Sequence, residues 1–182
     1  TGTMNLTPEP WVVHLFGLIS PILVITGNIL GGIYTAMGVI FIWTICPFLD
    51  IIFGKSPQPR PPRQSGLPFE ILLWVHGLLH LVIISTFFYF ANQQNEINLW
   101  LVTASLSTGL VSGASAIVTA HELGHKKPKS MGWFLARILL FSVHYTHFTT
   151  EHNHNRHKWV ATKKDSASAR VDEGVWSFWI RT

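Results

Sequence analysis

The sequence contains 182 residues, of which 48% are hydrophobic and only 12% are charged, and its formal net charge is +4. A soluble domain carries about twice that share of charged residues, so the composition excludes an ordinary soluble protein and indicates an integral membrane protein. Cys46 is the single cysteine, which excludes a disulfide framework and a cysteine-based metal site. The basic residues lie largely in short connecting segments, a pattern typical of membrane topology rather than of nucleic-acid binding.

Four apolar stretches predict an all-α integral membrane fold that forms a single membrane domain. Each has about the 20 residues that a helix needs to cross a bilayer, and their approximate bounds are 11–29, 32–53, 69–91 and 99–120. The fourth is rich in glycine, alanine and serine, as close helix packing in lipid prefers. The chain has no initiator methionine at position 1 and closes within an aromatic-rich segment, so we expect a fragment of a longer protein.

The distribution of Lys and Arg predicts which side of the membrane each connection faces. The linker 54–66 and the segment 126–129 each contain three such residues, whereas the loop 92–98 contains none. An even number of crossings separates the linker from the segment, and the positive-inside rule makes their common side cytoplasmic. We therefore expect residues 121–182 to face the cytoplasm, with 131–150 forming a short tilted or partly re-entrant helix.

The fourth stretch runs into "HELGH" (121–125), which places two histidines on one helical face. His121 and His125 are four residues apart, so both rings can reach one metal ion. In a zinc protease Glu122 would act as the general base, and a distant carboxylate would complete the site. Asp50, inside the second predicted span, is the candidate for that ligand.

A second cluster of histidines disfavours the protease interpretation, because a protease of this type would leave those histidines without a role. Seven of the ten histidines fall within residues 121–157, and imidazole suits iron, zinc and copper. His144, His147 and Glu151 are predicted to share one helical face, and "EHNHNRH" (151–157) adds three more histidines. These patterns predict a histidine-rich metal site next to the membrane.

Two histidines lie inside the third stretch, where ionisable side chains are costly and mark functional candidates. His76 and His80 are four residues apart. One interpretation is that they hydrogen-bond to neighbouring helices. The other is that their face, together with Gly77, lines the substrate's route to the metal site.

Three segments give the chain a resemblance to the integral-membrane, non-haem di-iron alkane monooxygenases. "HELGHKK" (121–127) is similar to the family's first histidine box, and "HFTTEHNHNRHKWVATKKDSASAR" (147–170) resembles the second box and its Val-Ala-Thr to Ala-Arg continuation. "EGVWSFWIRT" (173–182) resembles the aromatic segment that follows. Xylene monooxygenases and fatty-acid desaturases share the histidine-box plan without that continuation, and they are the alternatives.

The resemblance implies an enzyme of the bacterial inner membrane with six transmembrane helices in the full chain. Such an enzyme hydroxylates the terminal methyl of medium-chain n-alkanes, which reach it from the lipid. It uses O₂ and a di-iron centre, and its electrons come from rubredoxin and the NADH-dependent rubredoxin reductase. A third histidine box should follow residue 182, so we expect the chain to be inactive alone.

Carried over residue by residue, the resemblance implies four iron ligands in this chain: His121, His125, His152 and His157. The family's second box has two adjacent histidines where this sequence reads Arg156-His157. An arginine cannot lose its proton to bind iron, so His154 is a candidate substitute. The further candidates for metal binding or for contact with the ligands are His147, Glu122 and Glu151.

Overall fold

The computed structural model describes residues 8, 10–54, 60–61, 65–152, 157–160, 162, 164–165 and 168–181. Helices and turns make up the regular structure of these residues, and no strand occurs among them. The chain divides into two compact units, residues 1–143 and residues 144–182. Most of the helical mass and all of the long helices belong to the first unit.

Four helices of the first unit are long and apolar enough to cross a membrane. They are α1 (Trp11–Leu30), α2 (Gly32–Phe53), α3 (Leu67–Asn92) and α4 (Leu99–Gly124). Their lengths and composition confirm the all-α membrane fold that the sequence predicts. The side of the membrane that each connection faces stays a prediction.

The connection between α1 and α2 is tight because it is built from glycine. Gly31 and Gly32 have φ angles of 69° and 55°, in the left-handed region that other side chains disfavour. A Cβ atom on Gly27 would lie 2.4 Å from the carbonyl oxygen of Tyr34. The two helices therefore approach backbone to backbone at a point that only glycine permits.

Small and hydroxyl-bearing residues join α2 to α4. The Ser107 hydroxyl donates to the carbonyl of Thr35 at 2.6 Å and accepts from the backbone N–H of Val39 at 3.1 Å. A Cβ atom on Gly38 would lie 2.8 Å from Cβ of Ser107 and 2.6 Å from Cγ2 of Val24 on α1. In lipid, where no hydrophobic force pulls helices together, such close packing and hydrogen bonding hold them.

Two of the long helices contain π-helical turns. In α2 the turn is Phe41–Ile45, and Pro47 follows it. Proline has no N–H to donate, and its ring clashes with the carbonyl four residues earlier, so a widened turn relieves the conflict. In α4 the turn is Ser112–Ile117, directly before the segment that contains HELGH. Turns of this kind concentrate near functional sites.

A short helix, α5 (Met131–Ser142), follows α4 and packs against α3 and against the end of α4. Ser130 caps it by accepting a hydrogen bond from the N–H of Trp133 at 3.3 Å. Leu139 and Leu140 on its inner face are fully buried. At 12 residues it is too short to cross a bilayer.

The predicted common face of His144, His147 and Glu151 is wrong, because no single helix contains them. The helix α5 ends at Ser142, and His144 has a φ angle of 56°, which no right-handed helix accommodates. His147 is the residue before the next helix, α6 (Phe148–Glu151). The apolar run 131–150 has helical periodicity throughout, and a turn nevertheless interrupts it.

The second unit begins at His144, and its described residues include the short helices α6, α7 (His157–Trp159) and α8 (Val175–Arg181). An ion pair closes its last loop. Nε of Arg181 donates to Glu173 Oε1 at 2.7 Å, and Nη2 donates to Oε2 at 2.9 Å. Nη2 also donates to the carbonyl of Ser168 at 3.1 Å.

Candidate metal centre

The HELGH motif ends α4 with two imidazole rings that face one point. His121 lies in the last turn of the helix, and His125 is its C-cap. Their Nε2 atoms are 3.3 Å apart, and the rings meet edge to face with centroids 4.9 Å apart. The spacing of four residues predicts this common face, and the structure places the rings on it.

The separation of the two nitrogens fits joint ligation of one metal ion. Metal–imidazole bonds are about 2.0–2.1 Å long, so two ligands at a tetrahedral angle have nitrogens roughly 3 Å apart. Neutral imidazole binds through the lone pair of one nitrogen, while the other nitrogen carries a proton. The pair therefore has the donor chemistry and the geometry of half a histidine-ligated metal site.

Glu122 contacts the outer side of the first ring. Its Oε1 atom is 3.2 Å from Nδ1 of His121. A carboxylate at that distance would accept a proton from Nδ1, which would leave the Nε2 lone pair free for a metal. This position on the Nδ1 side of the ring differs from the position of the general base in a zinc protease, which acts on a water molecule beside the metal.

The start of α3 and the end of α4 meet at the same end of the helical bundle. Nζ of Lys126 is 3.0 Å from Oε1 of Glu70, and both side chains are substantially exposed. Such an exposed pair contributes little stability. It does locate HELGH at the end of the first unit where α3 begins.

His152 is a predicted ligand that lies in the second unit. It follows α6 as its C-cap, and its ring stacks on that of Phe148 with centroids 5.2 Å apart and an interplanar angle of 18°. Stacking limits the rotation of the His152 ring, which suits a ligand.

Of the other predicted residues in the second histidine cluster, two are exposed, and the rest are described only in part or lie outside the described residues. His147 is exposed and meets the ring of Tyr145 edge to face, with centroids 4.8 Å apart. Glu151 is exposed at the end of α6. His154 and Arg156 lie outside the described residues, and His157 is described only as part of the backbone of α7.

The histidines inside α3 hydrogen-bond to other helices, as one of the two interpretations predicts. Nδ1 of His76 is 2.8 Å from the hydroxyl of Ser115 in the π-helical turn of α4. Nε2 of His80 is 2.9 Å from the hydroxyl of Ser142 at the end of α5. Because Ser142 donates to the carbonyl of Leu139 at 2.7 Å, its oxygen accepts from His80.

That Gly77 lines a substrate route stays a prediction, and the structure places this glycine at a contact between two helices. A Cβ atom on Gly77 would lie 2.9 Å from Cδ2 of Leu135, so this glycine permits close contact between α3 and α5. A cleft of about 570 Å³ does lie beside His76, between α1, α3 and α4, but Gly77 and His80 do not line it. It extends to Glu122. Sequence periodicity missed this cleft because three helices form it jointly.

Asp50, the carboxylate that the zinc-protease alternative requires, is exposed near the end of α2. Among the described residues it belongs to no group of three or more side chains that could bind a metal.

Fold and site together define a membrane protein of at least four helices with a candidate histidine-ligated metal centre at a helix end. No family model matches the sequence. Alkane 1-monooxygenase of Pseudomonas putida is 30% identical over 175 residues, which are 92% of this chain and 43% of that protein. The enzyme of the same name from Ectopseudomonas oleovorans is 32% identical over 155 residues, 82% of this chain and 38% of that protein.

A third relative, alkane 1-monooxygenase 2 of Alcanivorax borkumensis, is 34% identical over 149 residues, 76% of this chain and 37% of that protein. The chain belongs to the alkane monooxygenase family. It spans about two fifths of the length of the curated relatives that it matches.

Proposed function

We propose that the protein containing this chain hydroxylates the terminal methyl group of medium-chain n-alkanes with O₂ at a histidine-ligated di-iron site. The observation that carries the proposal is the pair of Nε2 atoms of His121 and His125, 3.3 Å apart at the end of an apolar helix. The names of the relatives support the reaction. A histidine pair next to the bilayer suits a substrate that partitions into lipid.

In this proposal His121, His125, His152 and His157 hold iron, and His154 or His147 completes or surrounds the set. The metal, when bound, supplies the O₂ chemistry that no protein side chain provides. The chain's own residues place the ligands and admit the substrate. Glu122 holds the His121 ring by accepting its Nδ1 proton, and Phe148 limits the rotation of the His152 ring.

We place the centre on the cytoplasmic side of the bacterial inner membrane. The cluster of basic residues after HELGH supports this orientation through the positive-inside rule. On that side a soluble donor can reach the metals, and rubredoxin with its NADH-dependent reductase is the proposed source of electrons. The alternatives are a membrane di-iron enzyme of the desaturase or xylene monooxygenase type and, less favoured, a zinc protease.

The test is to purify the full-length protein and measure bound iron and zinc together with products from octane to hexadecane, with rubredoxin and reductase supplied. We expect iron and 1-alkanols. His125→Ala should lower bound iron at least about tenfold, since it removes one of the paired nitrogens. His144→Asn is the matched control, because asparagine tolerates the left-handed backbone at that exposed position.

Different products would identify the alternatives. Unsaturated products would move the assignment to the desaturases, and stoichiometric zinc without iron would reject the di-iron proposal. Equal iron content in His125→Ala and in the unsubstituted protein would show that HELGH does not bind the metal.

A further inference from the structure

The short helix α8 exposes an apolar face that no other described part of the chain covers. Val175, Trp176, Trp179 and Ile180 are 62%, 73%, 67% and 90% exposed. At 3.6 residues per turn these four side chains fall within about 140° of the helix circumference, as in an amphipathic helix. The two indole rings meet edge to face with centroids 5.5 Å apart. A continuous exposed apolar face of this kind marks a surface that binds a protein or a membrane.

The other side of α8 is fixed to its own unit. Arg181 donates to Glu173 at 2.7 and 2.9 Å, and its guanidinium carbon lies 5.4 Å from the centroid of the Phe178 ring. On the helical projection both Phe178 and Arg181 fall outside the apolar face. These contacts hold the helix on the loop that contains Glu173, and they leave the apolar face pointing away from that loop.

Exposed basic residues accompany this face, and they favour a lipid surface as its partner. Among the described residues of 157–181, the exposed charged side chains are Lys158, Lys164, Arg170 and one acidic residue, Asp172. Tryptophan is enriched at the membrane–water interface, and Lys and Arg near it are attracted to anionic lipid headgroups. The side chains of α8 and its surroundings thus combine the two features of an interfacial helix.

The chain connection keeps α8 close to a membrane. The first unit contains four helices that are able to cross a bilayer, and it ends at Val143, directly before the first residue of the second unit. Because no linker separates the units, the second unit has a high effective concentration at the bilayer surface. Even a helix of seven residues, too short to anchor a soluble protein, can bind lipid under that condition.

We propose that α8 lies in the plane of the membrane surface. Its apolar face enters the boundary between headgroups and acyl chains, and the basic residues contact anionic headgroups. The second unit, which contains the predicted ligand His152, is then held at the bilayer by a contact of its own. This inference goes beyond the proposed function and does not depend on the reaction that the protein catalyses.

The test uses the full-length protein in phospholipid vesicles, with every cysteine, Cys46 included, replaced by serine and one new cysteine on α8 labelled with the fluorophore NBD. Ile180→Cys reports on the apolar face. Ser177→Cys is the matched control, because Ser177 is exposed in the same helix but lies outside that face. Lipids that carry a nitroxide on the acyl chain should quench the label at position 180 at least about threefold more than the label at position 177.

The headgroup contribution is measured by comparing phosphatidylcholine vesicles with vesicles that also contain phosphatidylglycerol. The anionic lipid should increase the quenching at position 180. Lys158→Gln combined with Lys164→Gln should reduce that increase by at least about half, because both removed charges attract the headgroups. Lys127→Gln, which changes an exposed lysine of the first unit, is the control and should leave the increase unchanged.

Four results would overturn the inference. Quenching of the label at position 180 by aqueous iodide and not by lipid nitroxide would place the apolar face in water. Protection from both quenchers would show that protein covers it, either a later segment of the chain or another subunit. Equal lipid quenching at positions 177 and 180 would show that no single face of α8 enters the bilayer. An undiminished increase in the double lysine variant would show that these basic residues do not contact the headgroups.

Discussion

At the scale of single residues, the position of Glu122 distinguishes two interpretations of the HELGH motif: a zinc-protease site, and a metal site in which this carboxylate contacts a ligand. In a zinc protease this glutamate acts on a water molecule beside the metal. Here its carboxylate contacts Nδ1 of His121 at 3.2 Å, on the side of the ring away from the candidate metal position. An orienting carboxylate of this kind strengthens metal binding without touching the metal.

We predict that Glu122→Ala weakens iron binding by about tenfold, the lower end of the range for such orienting groups, because the side chain is 55% exposed and solvent competes for it. Glu122→Gln should retain most of the affinity, since its amide oxygen still accepts the Nδ1 proton. Retained iron is measured against increasing chelator concentration. Glu96→Ala, in the exposed loop before α4, is the control. Complete loss of iron in Glu122→Gln would instead indicate that the carboxylate is itself a ligand.

A second residue-scale feature is the carboxylate of Glu173. The bidentate contact with Arg181 and the backbone N–H of Arg170, at 2.9 Å, lower the pKa of Glu173 from 4.5 to about 2. Since the folded-state pKa lies below the unfolded value, the carboxylate stabilises the folded loop fully above about pH 4.5. That contribution is lost as the pH falls through about 2.

We therefore predict that Glu173→Gln increases deuterium uptake by the backbone amides of α8 at about pH 5 and has little effect at about pH 2, where the native carboxylate is becoming protonated. Uptake is measured by mass spectrometry after correction for intrinsic exchange. Glu96→Gln should change α8 at neither pH. An equal increase at both pH values would show that charge is not what holds the loop.

At the scale of helices, the first unit depends on places where a side chain would separate two backbones. Gly38 is one of them, enclosed by Val24 of α1 and Ser107 of α4. Overpacking such a contact costs about 1–3 kcal/mol because neighbouring side chains must leave their rotamers or the backbone must shift. Alanine also favours a helix by up to about 1 kcal/mol over glycine, so the two effects oppose each other.

We predict that Gly38→Ala lowers the midpoint of thermal unfolding in detergent, whereas Gly109→Ala leaves it unchanged or raises it. The same substitution is made in a helix in both variants, so helix propensity cancels in the comparison. Of these two glycines, only Gly38 has neighbours closer than 3 Å to the Cβ atom that alanine adds. An equal or higher midpoint in Gly38→Ala would mean that α1, α2 and α4 can separate slightly at no cost.

At the scale of the whole molecule, the sequence predicts what local composition determines. Four apolar runs specify four long helices, and the spacing in HELGH places His121 and His125 on one face. The break after Ser142 escapes prediction because helical periodicity continues through it. The Glu173–Arg181 pair and the cleft beside His76 escape it too, since each requires groups from separate segments to meet in space.

The π-helical turn of α4 explains a spacing of buried residues that would not stay on one face of a regular α-helix. Buried positions recur every fourth residue through this helix: Ala104, Ser107, Thr108, Val111, Ser112, Ser115, Ala116, Thr119, Ala120, Leu123 and Gly124. At 3.6 residues per turn, a stripe repeating every four residues rotates by about 40° per repeat and winds away from its partner helices. A wider turn at Ser112–Ile117 absorbs part of that rotation. His121 and His125 are also four residues apart, each one position after a buried residue, Ala120 and Gly124. The direction in which the two rings leave the helix therefore also depends on the backbone winding one turn upstream.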